Sequence, residues 1–157
     1  MKSGSKTKQA VSRARQTGVT MMELMIVVVI LAIIVGYAYP SYTQFVVRAK
    51  RTAGKSMLLQ VADRQQQFFM SNKRYATTFT ELGYPAATFM ITDDGTICAA
   101  GDADRVYNIS LSNSSAVTYT VNALPQLNQA AKDTSCGSLT LTHTGLKGNS
   151  GGGNNCW

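Results

Sequence analysis

Three kinds of side chain in this sequence are equipped for chemistry: a carboxylate set in an apolar run, three thiols, and a single imidazole. The carboxylate is Glu23, the only charge between Val19 and Tyr39. At about 1.5 Å per residue, a helix of that length spans about 30 Å, the thickness of a bilayer's hydrocarbon core. A charge at the bilayer centre costs about 3 kcal/mol, so Glu23 needs a partner. No Lys or Arg lies between Glu23 and Arg48. The partner must come from another chain or from a new α-amino group. A cut after Gly18 creates such a group at Val19, one helical turn from Glu23.

The thiols are Cys98, Cys136 and Cys156, and the imidazole is His143. A tetrahedral zinc site would need all four, and their spacing matches no zinc motif. An exported domain with one disulfide and one spare thiol fits better. Cys136 and Cys156 bracket a segment rich in Gly and Ser, which loses much entropy on ordering. A disulfide closing a loop of this size offsets about 3 kcal/mol. Pairing of Cys98 with Cys136 stays open. His143 reads as a strand-surface residue. Asp93-Asp94-Gly95 and Asp102-Ala103-Asp104 suggest calcium, but the EF-hand pattern and its closing Glu are missing. There is no G-x-S-x-G, no phosphate loop and no patterned pair of carboxylates. The reading is no enzyme, no cofactor and no metal.

Charge is unevenly placed along the 157 residues. The formal net charge is +7, and Lys2, Lys6, Lys8, Arg13 and Arg15 lead the chain with no acid among them; without those five the balance is +2. From Lys55 onward basic and acidic residues are equal in number, which weakens the case for non-specific nucleic-acid binding. The basic front keeps the leader in the cytoplasm and places the rest outside. An ordinary signal peptide has the same layout, with a small-x-small exit at Gly36-Tyr37-Ala38, but it gains nothing from Glu23.

The run "G-VTMMEL", its apolar continuation and "AYPSY" resemble the class III signal of type IV pilins and related pseudopilins. The resemblance implies that a prepilin peptidase cuts between Gly18 and Val19 and N-methylates Val19. It also implies that Glu23 attracts the terminal ammonium of a neighbouring subunit during assembly. Two departures are Val19, where phenylalanine is usual, and a longer leader. A second stretch, "DRQQQFFMSNKRYATTFTELGYP", resembles the helix end and following loop of minor pilins, carried by Asn72, Arg74, Tyr75, Leu82 and Gly83. The disulfide-closed C-terminal region of pilins supports the Cys136–Cys156 pairing.

The elements that must position these residues follow. Pro40 is expected to kink the helix where it leaves the bilayer. Phe45, Ala49, Ala53, Met57, Val61 and Phe68 recur near a 3.6 period and predict an apolar stripe, with Arg48, Lys50, Arg51, Lys55 and Arg64 off it. Phe68, Phe69 and Tyr75 read as core. Tyr107, Ile109 and Leu111, then Val117, Tyr119 and Val121, then Leu139 and Leu141 alternate as half-buried antiparallel strands, and residues 88–105 add a further short strand beside an acidic loop. The expected fold is α+β: a long N-terminal helix, membrane-spanning in its first half, packed on a small antiparallel sheet as in type IV pilins. The expected parts are a cleaved leader (1–18), a transmembrane and assembly helix (19–42) and a periplasmic or fibre-exposed globular domain (43–157).

The function this implies is a minor pilin of a type IV pilus serving twitching, adhesion or DNA uptake. Its partners would be major and minor pilins, the prepilin peptidase, the inner-membrane assembly platform and the bilayer. It would sit in the inner membrane of a Gram-negative-type bacterium and then in the fibre. Two alternatives are a DNA-binding competence receptor, using Arg105, Lys132, Lys147 and Trp157, and a type II secretion pseudopilin.

Overall fold

The computed structural model describes residues 18–157, so the basic leader lies outside the described residues. Two compact units divide the chain, Met1–Pro40 and Ser41–Trp157. Helix α1, Met21–Asn72, belongs to both. In the first unit its described residues are exposed throughout, with a mean hydropathy of 2.6 over its most apolar stretch. By length and composition it can cross a membrane. Pro40 lies within α1.

In the second unit, α1 faces a six-stranded antiparallel sheet. The strands are β1 (Thr88–Ile91), β2 (Ile97–Cys98), β3 (Tyr107–Ser112), β4 (Thr120–Pro125), β5 (Leu139–Thr142) and β6 (Lys147–Asn149). Their order across the sheet is β2-β1-β3-β4-β5-β6, so β2 and β6 are the edges. Alternation sends Tyr107, Ile109, Val121, Ala123, Leu139 and Leu141 inward, all at most 4% exposed. The residues between them form a polar outer face: Ser110 pairs with Asn122, and Asn122 with Thr140.

The buried stripe of α1 differs from the expected one. It runs through Val47, Arg51, Gly54, Met57, Leu58, Val61 and Gln65, whereas Phe45 is 69% exposed and Ala49 is exposed as well. Periodicity counts apolar residues, so it passed over three positions with other reasons to be inside. Gly54 lets the helix approach Tyr107, whose ring would lie 3.1 Å from an added Cβ. Gln65 both donates to the Ala76 carbonyl (3.0 Å) and accepts from the Ala76 amide (2.9 Å), which satisfies its buried amide. Arg51 has a buried counter-ion, described below. Val117, expected inside, is 70% exposed in the connection between β3 and β4. The expected short strand is a hairpin of two, β1 and β2.

The loop after α1 is held by the residues that carried the minor-pilin resemblance. Asn72 donates to the Phe68 carbonyl at 3.0 Å. Tyr75 packs between Phe69 (ring centres 4.7 Å) and Tyr119 (4.9 Å); Tyr75 and Phe68, read as core from the sequence, lie partly buried against the core, and Phe69 is half-buried outside it. Leu82 is buried and Gly83 adopts φ +80°, a left-handed conformation that glycine takes without strain. Arg74 pairs with Glu81 at 2.6 Å. That pairing, with the amides of Thr77 and Thr78, holds the Glu81 carboxyl down at about 2. A depressed carboxyl stabilises the fold fully above its unfolded value near 4.5 and loses that contribution as the pH falls towards 2. The pair is partly solvent-exposed, so the effect is small. The melting temperature of Glu81→Gln should therefore lie a little below that of the parent at pH 6 and converge with it by about pH 2. A gap that stays constant across this range would refute the assignment.

Candidate functional site

Two places gather chemistry, one in each unit. In the first, Thr20 precedes α1, and its hydroxyl accepts the Glu23 amide at 3.2 Å. This is a helix cap of the T-x-x-E kind, with the acid in the first turn, where the helix dipole favours it. Glu23 is thus anchored through its backbone, and its side chain stands among exposed apolar neighbours, Met22, Leu24 and Ile26. Among the described residues the two ion pairs are Arg51–Asp133 and Arg74–Glu81, and neither involves Glu23. Gly18 and Val19 lie immediately before the cap, both exposed. A carboxylate held this way can receive a cation from outside its own chain.

The second place is the C-terminal loop. Cys136 and Cys156 form a disulfide with their Cα atoms 5.4 Å apart, and Cys98 is free on edge strand β2. The loop they close contains β5 and β6. Its glycines have a reason beyond flexibility: at Gly151 and Gly153 an added Cβ would run into the Ser135 carbonyl. Gly153 donates to that same carbonyl at 2.9 Å, and Gly151 donates to the Cys136 carbonyl at 3.0 Å. Trp157 turns back so that its indole N–H donates to the Gly148 carbonyl at 2.8 Å. The Lys147 ammonium lies 5.5 Å from the centre of the Trp157 ring, within cation–π range.

The loop is tied to α1 by a buried polar network that the sequence reading missed. Arg51 holds Asp133 with two bonds, Nε at 2.9 Å and Nη2 at 2.5 Å, and donates from Nη1 to the Asn155 carbonyl at 3.3 Å. Gln129 donates from its side-chain amide to Asp133 (3.0 Å) and to the Val47 carbonyl (3.1 Å). Tyr107 donates to Asp133 at 3.4 Å. Asp133 is 1% exposed and Gln129 3%. The bond to Asp133 raises the Arg51 guanidinium further above its usual range, and burial pushes the Tyr107 phenol up to about 12. Gln129 sits on α2, Leu127–Lys132, and Asp133 caps its C-terminal end. No sequence signal pointed to this network, because the expected apolar stripe left Arg51 outside it.

The four residues considered for nucleic acid are not one group. Arg105 donates to the Asp102 carbonyl at 2.6 Å, in the acidic connection between β2 and β3, while Lys147 and Trp157 sit on the closed loop. Lys132 is exposed at the end of α2. Lys55, half-buried on α1, has its ammonium pKa lowered, first by burial and then by the positive charges of Arg51 and Lys147, with Asp133 opposing. His143, expected on a strand surface, lies in the turn after β5, half-buried beside Tyr75 with ring centres 6.2 Å apart.

Comparison with known proteins agrees with this arrangement. Residues 13–39 match the model of the prokaryotic N-terminal methylation motif. The chain is 36% identical over 70 residues to the type IV major pilin protein PilA of Myxococcus xanthus (strain DK1622), an alignment that takes in 45% of this chain and 32% of that one. The chain thus spans about a third of that relative's length. Residues 40–140, more than half of the chain, match the model of the type IV minor pilin ComP, DNA uptake sequence receptor. With a methylation-motif segment, a long apolar helix and a disulfide-closed antiparallel sheet, the chain belongs to the ComP family of type IV minor pilins.

Proposed function

We propose that this protein is a structural subunit of a type IV pilus. It is processed between Gly18 and Val19 and held in the inner membrane by the first half of α1. It is then drawn into the fibre by docking on other pilins through the assembly platform. The observation that carries this reading is the exposed apolar helix with one carboxylate, Glu23, in its first turn and no cation against it among the described residues. A helix of that kind is stable only in lipid or in a bundle of its own kind, and its charge is best met by a partner's terminal ammonium. The parts follow as a leader (1–18), a membrane and assembly segment (19–42) and a globular domain (43–157).

Intact-mass measurement of membrane-extracted protein tests the processing step. The expected chain begins at Val19 and carries one extra methyl group. A chain beginning at Tyr39 would mark an ordinary signal peptide and defeat the pilin reading. In a deletion strain, loss of surface fibres or of twitching would then tie the processed subunit to the machine.

A second reading is favoured by the family description, which names a DNA uptake sequence receptor. In this reading the fibre-borne domain also contacts DNA during uptake. A domain with balanced charge meets DNA only where its cations cluster.

A further inference from the structure

Where α1 enters the second unit, its exposed side chains change in kind. Tyr42 is 66% exposed and Phe45 69%, and Arg48 is exposed one turn further on. Successive members lie three residues apart, so each is a neighbour of the next on the helix surface. Val47 and Arg51, on the face that packs inward, are buried. Two rings and a guanidinium therefore stand on a side of α1 that the sheet does not cover.

Among the described residues, the ion pairs are Arg51–Asp133 and Arg74–Glu81, so no carboxylate answers Arg48. Its carbonyl accepts from the Thr52 hydroxyl at 3.2 Å, a bond of the backbone and not of the guanidinium. Lys50 differs, because it lines a cleft with Asp93, Asp94 and Asp104. Depth then decides what Arg48 can meet. The run with Glu23 as its only charge ends at Tyr39 and has the length of a hydrocarbon core. Headgroups add about 5–7 Å on each side of that core. At about 1.5 Å per residue, Tyr42 stands about 5 Å and Phe45 about 9 Å beyond Tyr39 along the helix. Helical side chains lean towards the N-terminus, here towards the bilayer, so the Phe45 ring and the long Arg48 stem reach back into the headgroup layer. Aromatic rings and snorkelling cations are the side chains that this layer accommodates. Buried in a bundle of helices, Arg48 would instead be a charge without a counter-ion, which is costly.

We propose that Tyr42, Phe45 and Arg48 form a collar that seats the subunit on the phospholipid headgroups at the membrane exit. The two rings lie among the headgroups, and the Arg48 guanidinium holds a lipid phosphate. The proposal rests on the membrane-held subunit described above and adds how deep that subunit sits. Lys50 faces the aspartate-lined cleft and takes no part.

The test reconstitutes the full chain in vesicles of phosphatidylcholine and phosphatidylglycerol with acyl chains brominated near the headgroup. The emission of Trp157, the only tryptophan in the chain, sets the baseline. Phe45→Trp places an indole in the collar, and its emission should be quenched by the bromines and shielded from acrylamide in the water. Adding Arg48→Gln should shift the balance towards water about fivefold, the worth of one cation at an anionic lipid surface. Adding Lys50→Gln instead should leave it unchanged, and an equal response to the two would overturn the phosphate contact. Melting curves matching the parent's would establish that the variants are folded. Leu31→Trp reports on the span itself. If bromines deep in the acyl chains quench Leu31→Trp while Phe45→Trp stays open to acrylamide and unquenched, the chain spans the bilayer and the collar proposal fails alone. If neither indole is quenched, the membrane-held reading fails with it. Protection of Phe45→Trp that appears only at a high ratio of protein to lipid would assign this face to another copy's helix and overturn the lipid contact.

Discussion

Glu23→Ala should leave the protein membrane-inserted and processed yet remove it almost entirely from sheared fibres. Deleting the carboxylate makes the helix more apolar, so insertion does not suffer. The amide that Thr20 caps belongs to the backbone, so the helix start survives as well. What is lost is the charge that a neighbouring subunit's ammonium would meet. An interaction worth about 3 kcal/mol in a lipid-like setting corresponds to about a hundredfold in occupancy. Glu23→Gln separates charge from shape: it keeps the size and polarity of the side chain and removes the charge. If the role is docking, Gln should fail as Ala does. Immunoblots of sheared fibres and membranes measure the split, and equal recovery of the Gln variant and the parent in fibres would overturn the docking role.

Asp133→Ala should be the most damaging substitution in the globular domain. It leaves the Arg51 guanidinium buried at 7% exposure with no counter-ion, and strips an acceptor from both Gln129 and Tyr107. Breaking one side of a buried ion pair typically costs about 3–5 kcal/mol, a large share of a domain's stability. Replacing both partners by apolar residues of similar size, Arg51→Met with Asp133→Leu, should recover much of the loss, because no charge is then left buried. Urea unfolding followed through Trp157 gives the three stabilities. An Asp133→Ala domain within about 1 kcal/mol of the parent would mean that water reaches Arg51 and that the network is not closed.

How much of this was legible beforehand depends on the kind of signal. The apolar helix was readable because a bilayer tolerates so few patterns. The central strands were readable because one face is buried and the side chains alternate, as at Tyr107, Ile109 and Leu111. The Cys136–Cys156 pair was favoured but not forced, and the structure pairs those two. The inner face of α1 was misread because three of its buried residues are Arg51, Gly54 and Gln65, whose places depend on groups outside the helix. Helix α2 was missed for a related reason. At six residues it is too short to show a period, and tertiary bonds from Gln129 and Asp133 hold it.

The network around Arg51 also sets an order of events. Its partners are 82 and 104 residues downstream, at Asp133 and Asn155. A domain delivered in chain order presents Arg51 long before either partner has followed. Contacts this distant are slow to form, because the intervening loop must close before any bond rewards it. The part of α1 in the globular unit therefore waits, with Arg51 unpaired, for the sheet and the closing cysteine. Maturation of the domain is timed by delivery of its far end, and Arg51 gains its buried counter-ion only after the segment carrying Asp133 has arrived.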